Sequence, residues 1–142
     1  MVVMRYVIAW IVLSLGLGVG IGSLNVPFFY RMTIKGVPGP GSVVEKTPDN
    51  HNTVRYQYSV AGRTFQGTQQ SWAPNPPLDH LSIGDPLVIY HDSEHPEKSA
   101  LGDPRPMLEN EIGSVGAVAL IFPTIIVLRV RFWLQDRAGK AE

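Results

Sequence analysis

The sequence predicts a membrane protein in which two transmembrane α-helices flank a small, mainly β domain, folded as an antiparallel sheet or a partial barrel. Three observations favour this fold class. Two apolar segments, 6–24 and 112–128, have the length of membrane helices. Between them, apolar and polar residues alternate with the period of two that β-strands show. That middle region also carries most of the prolines and most of the charged residues.

The composition excludes several kinds of site. The chain of 142 residues has a formal net charge of zero, so no basic field predicts binding to nucleic acid. Cysteine is absent, which excludes disulfides, thiolate metal ligands and a cysteine nucleophile. The sequence has no phosphate-binding glycine loop and no nucleophile elbow, and it predicts no cofactor.

The first apolar segment, 6–24, contains no charged residue and can cross about 30 Å of hydrocarbon as an α-helix. A cleaved signal peptide is the alternative, with Arg5 as a short basic region before the apolar run. No small-x-small cleavage site precedes a polar mature start, because Asn25 is followed by an apolar and aromatic run. We therefore expect a retained transmembrane helix.

The second apolar segment predicts a transmembrane helix over 112–130, because the Arg129 side chain can reach back to the membrane surface. Pro123 is tolerated there, since neighbouring groups in a membrane can satisfy the carbonyl that it frees. Aromatic and basic side chains are typical of the membrane–water boundary. The expected anchors of this kind are Phe28, Phe29, Tyr30, Arg129, Arg131 and Trp133.

Lysine and arginine near the helix ends predict the orientation, because such residues are retained in the cytoplasm. The basic residues in question are Arg5, Arg129, Arg131, Arg137 and Lys140. We expect both termini in the cytoplasm and the middle domain outside it. The predicted segments are a cytoplasmic N-terminus (1–5), a first helix (6–24), an extracytoplasmic domain with linkers (25–111), a second helix (112–130) and a basic cytoplasmic tail (131–142).

Small residues recur along both apolar segments and let another helix approach closely. They are Ser14, Gly16, Gly18, Gly20 and Gly22 in the first segment, and Gly113, Gly116, Ala117 and Ala119 in the second. Three partners are open at this point: the second helix of the same chain, another copy of the chain, or a different membrane protein.

Four strands are predicted in the middle domain, at 42–46, 54–60, 63–69 and 87–91. A short helical turn capped by Asn75 and ended by Gly84 is expected before the last strand. The segments 36–41 and 103–106 are interpreted as breakers or linkers because of their prolines and glycines. The predicted core is Val43, Val54, Tyr56, Tyr58, Val60, Phe65, Trp72, Leu81, Ile83, Val88, Tyr90 and Leu101.

Two strings in this domain carry a resemblance to a known family. The first is Tyr56-x-Tyr58-x-Val60-x-Gly62-x-x-Phe65-x-Gly67, and the second runs from Gly84 to Leu101. Their order and spacing resemble the bacterial family of domains of unknown function numbered 3592. The corresponding positions are Tyr56, Tyr58, Val60, Gly62, Phe65, Gly67, Gly84, Tyr90, Asp92, Pro96, Ser99 and Leu101.

The resemblance implies a bacterial plasma-membrane protein with a small β domain and flanking membrane helices, and the family brings no established activity. Two residues depart from the family pattern. His91 stands where an aromatic residue is usual, and Ser93 replaces the first proline of the turn. The turn itself is expected to remain, since Asp92 and Pro96 are present.

The densest cluster of titratable groups is His91-Asp-Ser-Glu-His95. Such residues can bind a divalent metal or act as an acid–base pair, and His91, Asp92 and His95 are the metal candidates. Pro96 and the preceding β run favour an exposed turn over a helical ligand pair. We therefore predict neither a metal site nor a catalytic residue.

The function expected from these observations is a non-enzymatic, membrane-anchored binding or accessory module that presents a β domain outside the membrane. Its partners would be the lipid bilayer and another membrane or envelope protein, or a second copy of the chain. Two alternatives stay open. One is a small membrane-bound hydrolase or metal-dependent enzyme that uses the His91–His95 turn, and the other is an accessory subunit that acts through its glycine-rich helix.

Overall fold

A computed structural model describes residues 2–71 and 73–138. Trp72 of the predicted core and Lys140 of the predicted basic tail lie outside the described residues. The elements are α1 (Val2–Lys35), β1 (Gly36–Thr47), β2 (Thr53–Val60), β3 (Arg63–Gln70), a 3₁₀ helix (Leu78–His80), β4 (Pro86–Asp92), β5 (Ser99–Leu101) and α2 (Pro104–Ala138).

The chain divides into two compact units. Residues 1–26 and 110–142 make up the first, which we call the helix pair. Residues 27–109 make up the second, which we call the β domain.

Both long helices have the length and apolar composition of membrane spans, over Val3–Lys35 and Pro104–Arg137. Most of their large apolar side chains are exposed rather than packed into a protein core, as expected of residues that face lipid. The predicted fold class, a membrane protein with two long apolar helices flanking a mainly β domain, is confirmed.

Both helices extend beyond the apolar segments. The prediction of a linker at 103–106 is wrong, because α2 begins at Pro104. Asp103 Oδ1 accepts a hydrogen bond from the Arg105 backbone N–H at 3.0 Å, and Pro104 occupies the first helical position. A proline is well suited to that position, where its missing N–H would have no partner within the helix. These residues start the helix rather than separate it from the domain.

The β domain is a five-stranded antiparallel sheet with the strand order β3-β2-β1-β4-β5, bent into a half-barrel. The four predicted strands are all present. β5, which pairs with β4 through Ile89 and Leu101, was not predicted.

The prediction of a linker at 36–41 is also wrong, since β1 begins at Gly36. Its first half pairs with β4, with Pro38 opposite Tyr90, and β2 pairs only from Gly41 onward. Prolines are tolerated in a strand whose other side carries no partner. The two prolines of β1, at 38 and 40, lie in this one-sided half.

The core lies on the inner face of the half-barrel. Its buried members are Val43, Val54, Tyr56, Tyr58, Leu78, Leu81, Leu87, Ile89 and Leu101, with Val60 and Phe65 partly buried against them. Six of these nine buried residues are in the predicted core. Ile83 and Val88 are wrong predictions, since they are 72% and 59% exposed. In β4 the burial phase is shifted by one residue, so Leu87 and Ile89 point inward instead.

The helical turn before β4 also differs from its prediction. It is a single 3₁₀ turn at Leu78–His80, preceded by Pro77 and without a side-chain cap. Asn75 is buried instead of capping a helix. Gly84 has a φ of +92°, a left-handed conformation that glycine adopts without strain.

Candidate functional site

The turn that joins β4 to β5, residues 92–98, contains the titratable cluster and is called the Asp92 turn here. Asp92 Oδ1 accepts hydrogen bonds from the backbone N–H groups of Glu94, at 2.8 Å, and His95, at 3.1 Å. The Asp92 N–H donates to the Lys98 carbonyl at 2.9 Å. The aspartate is therefore the residue around which the turn is built, a frequent role for this side chain.

The last two turns of α1 supply the positive charges that meet the Asp92 turn. The Arg31 guanidinium donates to both Asp92 carboxylate oxygens, through Nε to Oδ2 and through Nη2 to Oδ1. Arg31 Nη2 also lies 3.1 Å from Glu94 Oε2, and Lys35 Nζ lies 2.8 Å from Glu94 Oε1. The Lys35 carbonyl accepts a hydrogen bond from the Ser93 N–H at 3.0 Å. Ion pairs and one backbone bond thus join α1 to the turn.

The environment of the turn lowers the pKa of two of its carboxylates, Asp92 and Glu94. The Arg31 hydrogen bond, together with the two backbone N–H groups, lowers the pKa of Asp92 to about 2, although burial acts in the opposite direction. The pKa of Glu94 is lowered mainly by Lys35. Both groups are acceptors at neutral pH, and neither is poised to exchange a proton there.

The three metal candidates do not form a ligand set. Asp92 is fully buried, and Arg31 and backbone donors occupy its oxygens. The His91 ring stacks on Tyr58 with a centroid distance of 6.2 Å, whereas His95 is exposed with Nδ1 3.4 Å from Glu97 Oε1. Within the described residues, no group of three His, Asp or Glu side chains is arranged to hold a metal ion.

Two tyrosines of β2 hold the other side of the turn and the strand that follows it. The Tyr58 hydroxyl donates to the Pro96 carbonyl at 2.7 Å, and the Tyr56 hydroxyl lies 3.2 Å from Ser99 Oγ. Burial raises the pKa of Tyr56 to about 12. Because both rings are buried, they pack the core and do not form an open stacking surface for a ligand.

Two glycines of the β2–β3 hairpin have clear steric roles. A Cβ added to Gly67 would lie only 2.4 Å from the Tyr56 ring. The ring therefore occupies space that is available only because residue 67 has no side chain. Gly62 has a φ of +79° and follows Ala61, whose φ is +50°. Two successive residues with positive φ are typical of the tight turn that joins hairpin strands.

A comparison with protein families gives one match, to the family described as domain of unknown function (DUF3592), over residues 39–106. This segment is a DUF3592 domain. It contains the β domain from the fourth residue of β1 to the first turn of α2. No curated protein and no solved structure matches the chain.

The positions that carried the resemblance have turn, packing or hydrogen-bonding roles in the DUF3592 domain. The turn glycines, the two tyrosines and the buried Asp92 are described above, and Leu101 is part of the core. Ser93, which departs from the family pattern, has a specific consequence. Its N–H bonds to the Lys35 carbonyl, a contact that a proline at this position cannot make.

The glycines of the helix pair divide into two groups. A Cβ at Gly18 would lie 3.6 Å from Ala119, and one at Gly22 would lie 3.5 Å from Val115, so these two glycines face α2. A Cβ at any of the others would have no heavy atom within 4 Å among the described residues; they are Gly16, Gly20, Gly113 and Gly116. Ser14 Oγ is buried without a hydrogen-bond partner in the described part of the chain.

Two polar contacts of the helix pair were not predicted from the sequence. Trp10 Nε1 donates to Thr124 Oγ1 at 2.9 Å, and Asn25 Nδ2 donates to Glu111 Oε1 at 3.1 Å. Together with the two glycine contacts, they show that α1 and α2 run antiparallel within the helix pair. Side-chain hydrogen bonds of this kind are typical of contacts between membrane helices.

The predicted membrane-interface anchors remain predictions, but their surroundings are clear. Phe28 and Phe29 lie at the start of the β domain with their rings edge to face at 5.1 Å, and the Tyr30 side chain is exposed. Trp133 is covered by the Arg137 guanidinium at 3.9 Å. The remaining two anchors, Arg129 and Arg131, lie in the C-terminal third of α2.

Sequence reasoning missed Arg31 and Lys35 as partners of the Asp92 turn. Their spacing was a usable signal, because residues four apart lie on the same face of a helix. Two basic residues on one face, following an apolar helix and preceding a domain with a strongly acidic turn, predict an ion-pair contact.

Proposed function

We propose that this protein is a non-enzymatic, membrane-anchored binding module. Its β domain would pair through the free edge of β3 with an extended segment of another membrane or envelope protein. The observation that carries the proposal is this edge, because no described strand pairs with its outer side and an open strand edge is a template for pairing with a second chain. Only its C-terminal end contacts β5, where the Gln69 side chain accepts a hydrogen bond from the Leu101 N–H.

The backbone groups available for pairing follow from the β2–β3 register, which continues without a shift from Val60–Arg63 onward. In a two-residue hairpin the residues that flank the turn are hydrogen-bonded to each other, and the bonded pairs then alternate along the strands. Arg63 and every second residue after it therefore bond to β2. Thr64, Gln66 and Thr68 direct their N–H and C=O groups to the open side.

The composition of β3 supports a binding role for this edge. Soluble proteins commonly protect edge strands with proline, lysine or a bulge. β3 has none of these, and Arg63 at its first position is its only charged residue. Its exposed threonines and glutamines keep the edge polar, so the available contacts are mainly backbone hydrogen bonds.

The absence of an enzymatic role is part of the proposal. The carboxylate at the centre of the titratable cluster is occupied by Arg31 and two backbone donors. Such an arrangement stabilises a turn, and it leaves no oxygen of Asp92 free to act as a base or a metal ligand.

The free edge is tested with Gln66→Pro, which removes an outward N–H and leaves the bonds to β2 in place. Gln66→Ala is the matched control. Thr68→Cys, on the same exposed face of β3, carries a thiol-reactive photo-cross-linker in the full chain within cells. We expect a discrete cross-linked species that persists with Gln66→Ala and is lost with Gln66→Pro. An adduct that survives Gln66→Pro would argue against pairing at this edge.

We further propose a location in the bacterial inner membrane, with both helices spanning it, both termini in the cytoplasm and the β domain outside. The basic residues near the chain ends support this orientation. The lack of native cysteine allows a direct test with a membrane-impermeant maleimide on intact cells. Gln66→Cys should be labelled and Asp136→Cys should not, both positions being exposed. The reverse pattern would place the β domain in the cytoplasm.

A further inference from the structure

The helix pair encloses a groove of about 420 Å³ between α1 and α2. Val7 and Trp10 line it from α1, and Thr124, Leu128 and Arg131 line it from α2. The Trp10–Thr124 hydrogen bond lies at its inner end. Toward the helix ends that carry Arg5 and Arg137, the polar groups of Arg131 and Gln135 contribute to its lining.

Small and large side chains of α1 occupy different parts of its contact with α2. At Gly18 and Gly22 the helices are in close contact, since a β-carbon added at either glycine would touch α2. Toward the N-terminus of α1 the groove is lined by the larger side chains of Tyr6, Val7 and Trp10. The groove is therefore lined by bulky side chains and does not include the glycine contacts.

The groove is apolar at one end and basic at the other, which matches the apolar acyl chains and charged phosphate of a phospholipid. From Thr124 to Arg131 is seven residues of helix, or about 10 Å along the axis. The inner part of this length is lined by aliphatic and aromatic groups, and the outer end by a guanidinium. Within the described residues, Arg131 makes no hydrogen bond and no ion pair, so its charge is available to a ligand.

The excess of basic residues at this end of the helix pair favours a ligand with a negative charge. Arg5, Arg129 and Arg137 lie on the same helix ends as Arg131, whereas Asp136 is the only acidic residue among described residues 2–26 and 113–138. Basic pockets between membrane helices are typical binding sites for anionic lipid head groups. A cationic or zwitterionic amphiphile would gain less from this field.

We propose that the groove binds one anionic phospholipid, with its phosphate at Arg131 and part of an acyl chain between Val7, Trp10 and Leu128. The lining of this site lies in the helix pair alone. The lipid proposal therefore does not depend on whether β3 pairs with a partner.

Native mass spectrometry of the purified full chain in an uncharged detergent tests this site. Phosphatidylglycerol and phosphatidylcholine with identical acyl chains are the two probes. We expect phosphatidylglycerol to bind about fivefold more tightly, since one arginine near a membrane surface contributes an effect of about this size. Arg131→Gln should remove the preference, and the neighbouring Arg129→Gln, outside the groove, should keep it.

A second variant tests the position of the acyl chain. Val7→Trp fills the groove without changing any charge, and it should lower phosphatidylglycerol binding to the level of phosphatidylcholine. Equal binding of both lipids to the unaltered chain, or equal losses with Arg129→Gln and Arg131→Gln, would overturn the proposal in favour of general surface attraction. If Val7→Trp bound phosphatidylglycerol as tightly as the unaltered chain does, the groove would not be the binding site.

Discussion

Gly67 and Tyr56 are directly paired across β3 and β2, and the ring of the tyrosine lies over the glycine. The fit is close because Tyr56 is fully buried and its hydroxyl also contacts Ser99. The spacing of the two residues in the hairpin motif therefore has a packing reason. A side chain at 67 and a tyrosine at 56 cannot occupy the same volume.

Gly67→Ala should destabilise the β domain by about 2 kcal/mol, as expected when a core is overpacked by one methyl group. Thermal unfolding of the full chain in detergent, followed by the β-sheet circular dichroism signal, measures this loss. Thr68→Ala, at the adjacent exposed position, is the control and should unfold nearly as the unaltered chain does. An unchanged melting temperature for Gly67→Ala would mean that the Tyr56 ring has room to move.

Ala61 is strained, because its φ of +50° is unfavourable for a residue with a β-carbon. Ala61→Asn should stabilise the hairpin by roughly 0.5–1 kcal/mol, since asparagine tolerates this conformation better. Ala61→Val should have the opposite effect, because β-branching makes the left-handed region still less accessible. The same unfolding experiment compares the two variants. A gain with valine would contradict the assigned turn.

Asp92 links stability to pH. Its folded-state pKa of about 2 lies below the ordinary value of 3.8, so the ionised form favours folding. Its contribution is complete above about pH 4 and is lost as the pH falls through 2. Asp92→Asn should therefore cost about 2 kcal/mol at neutral pH, with the buried amide left beside Arg31.

Unfolding curves of Asp92→Asn and the unaltered chain should converge as the pH falls from about 4 to 2. Glu94→Gln is the control, because Glu94 is exposed and its ion pairs are screened by solvent. It should show the smaller loss at neutral pH. A constant gap between Asp92→Asn and the unaltered chain over this range would show that the charge of Asp92 is not the cause.

At the scale of whole elements, the helix pair and the sheet are organised by different features. α1 and α2 touch through two glycines and two hydrogen bonds between polar side chains. The sheet is organised by backbone pairing and by one layer of inward-facing side chains. A test of helix packing therefore has to compare a glycine that faces α2, such as Gly18, with one that does not, such as Gly16.

Gly18→Leu should weaken the α1–α2 contact, whereas Gly16→Leu should not, because only Gly18 faces Ala119. The readout is disulfide formation between Gly22→Cys and Val115→Cys, in a chain that has no other cysteine. We expect efficient cross-linking with Gly16→Leu and a clear reduction with Gly18→Leu. Equal effects of the two leucines would contradict the assigned helix faces.

At the scale of the whole molecule, the two apolar helices decide the environment in which the protein exists. Both helices expose many large apolar side chains, an arrangement that is unfavourable in water. The full chain should remain in the membrane pellet after alkaline carbonate extraction. Leu15→Lys together with Ile121→Lys, which introduces a charge into each exposed apolar face, should increase release. Release of the unaltered chain would exclude an integral membrane protein.

Much of the fold could be predicted because its signals are local. Apolar length predicts both helices, and the alternation of Val54, Tyr56 and Tyr58 with polar residues predicts the inward face of β2. The order and spacing of the hairpin motif were sufficient to predict the family. The candidate site was only half predicted: the Asp92 turn is a local pattern, whereas Arg31 is distant in sequence.

The sequence by itself therefore determined the two helices, the hairpin and the turn, since each depends on residues within a few positions of one another. Only the tertiary structure decided which face of β4 is buried, because Leu87, Val88, Ile89 and Tyr90 are all large and mainly apolar and carry no period of their own. It also decided the strand that begins at Gly36, since prolines are acceptable there only where no second strand pairs. The low pKa of Asp92 likewise depends on an arginine that folding brings from the far end of another element.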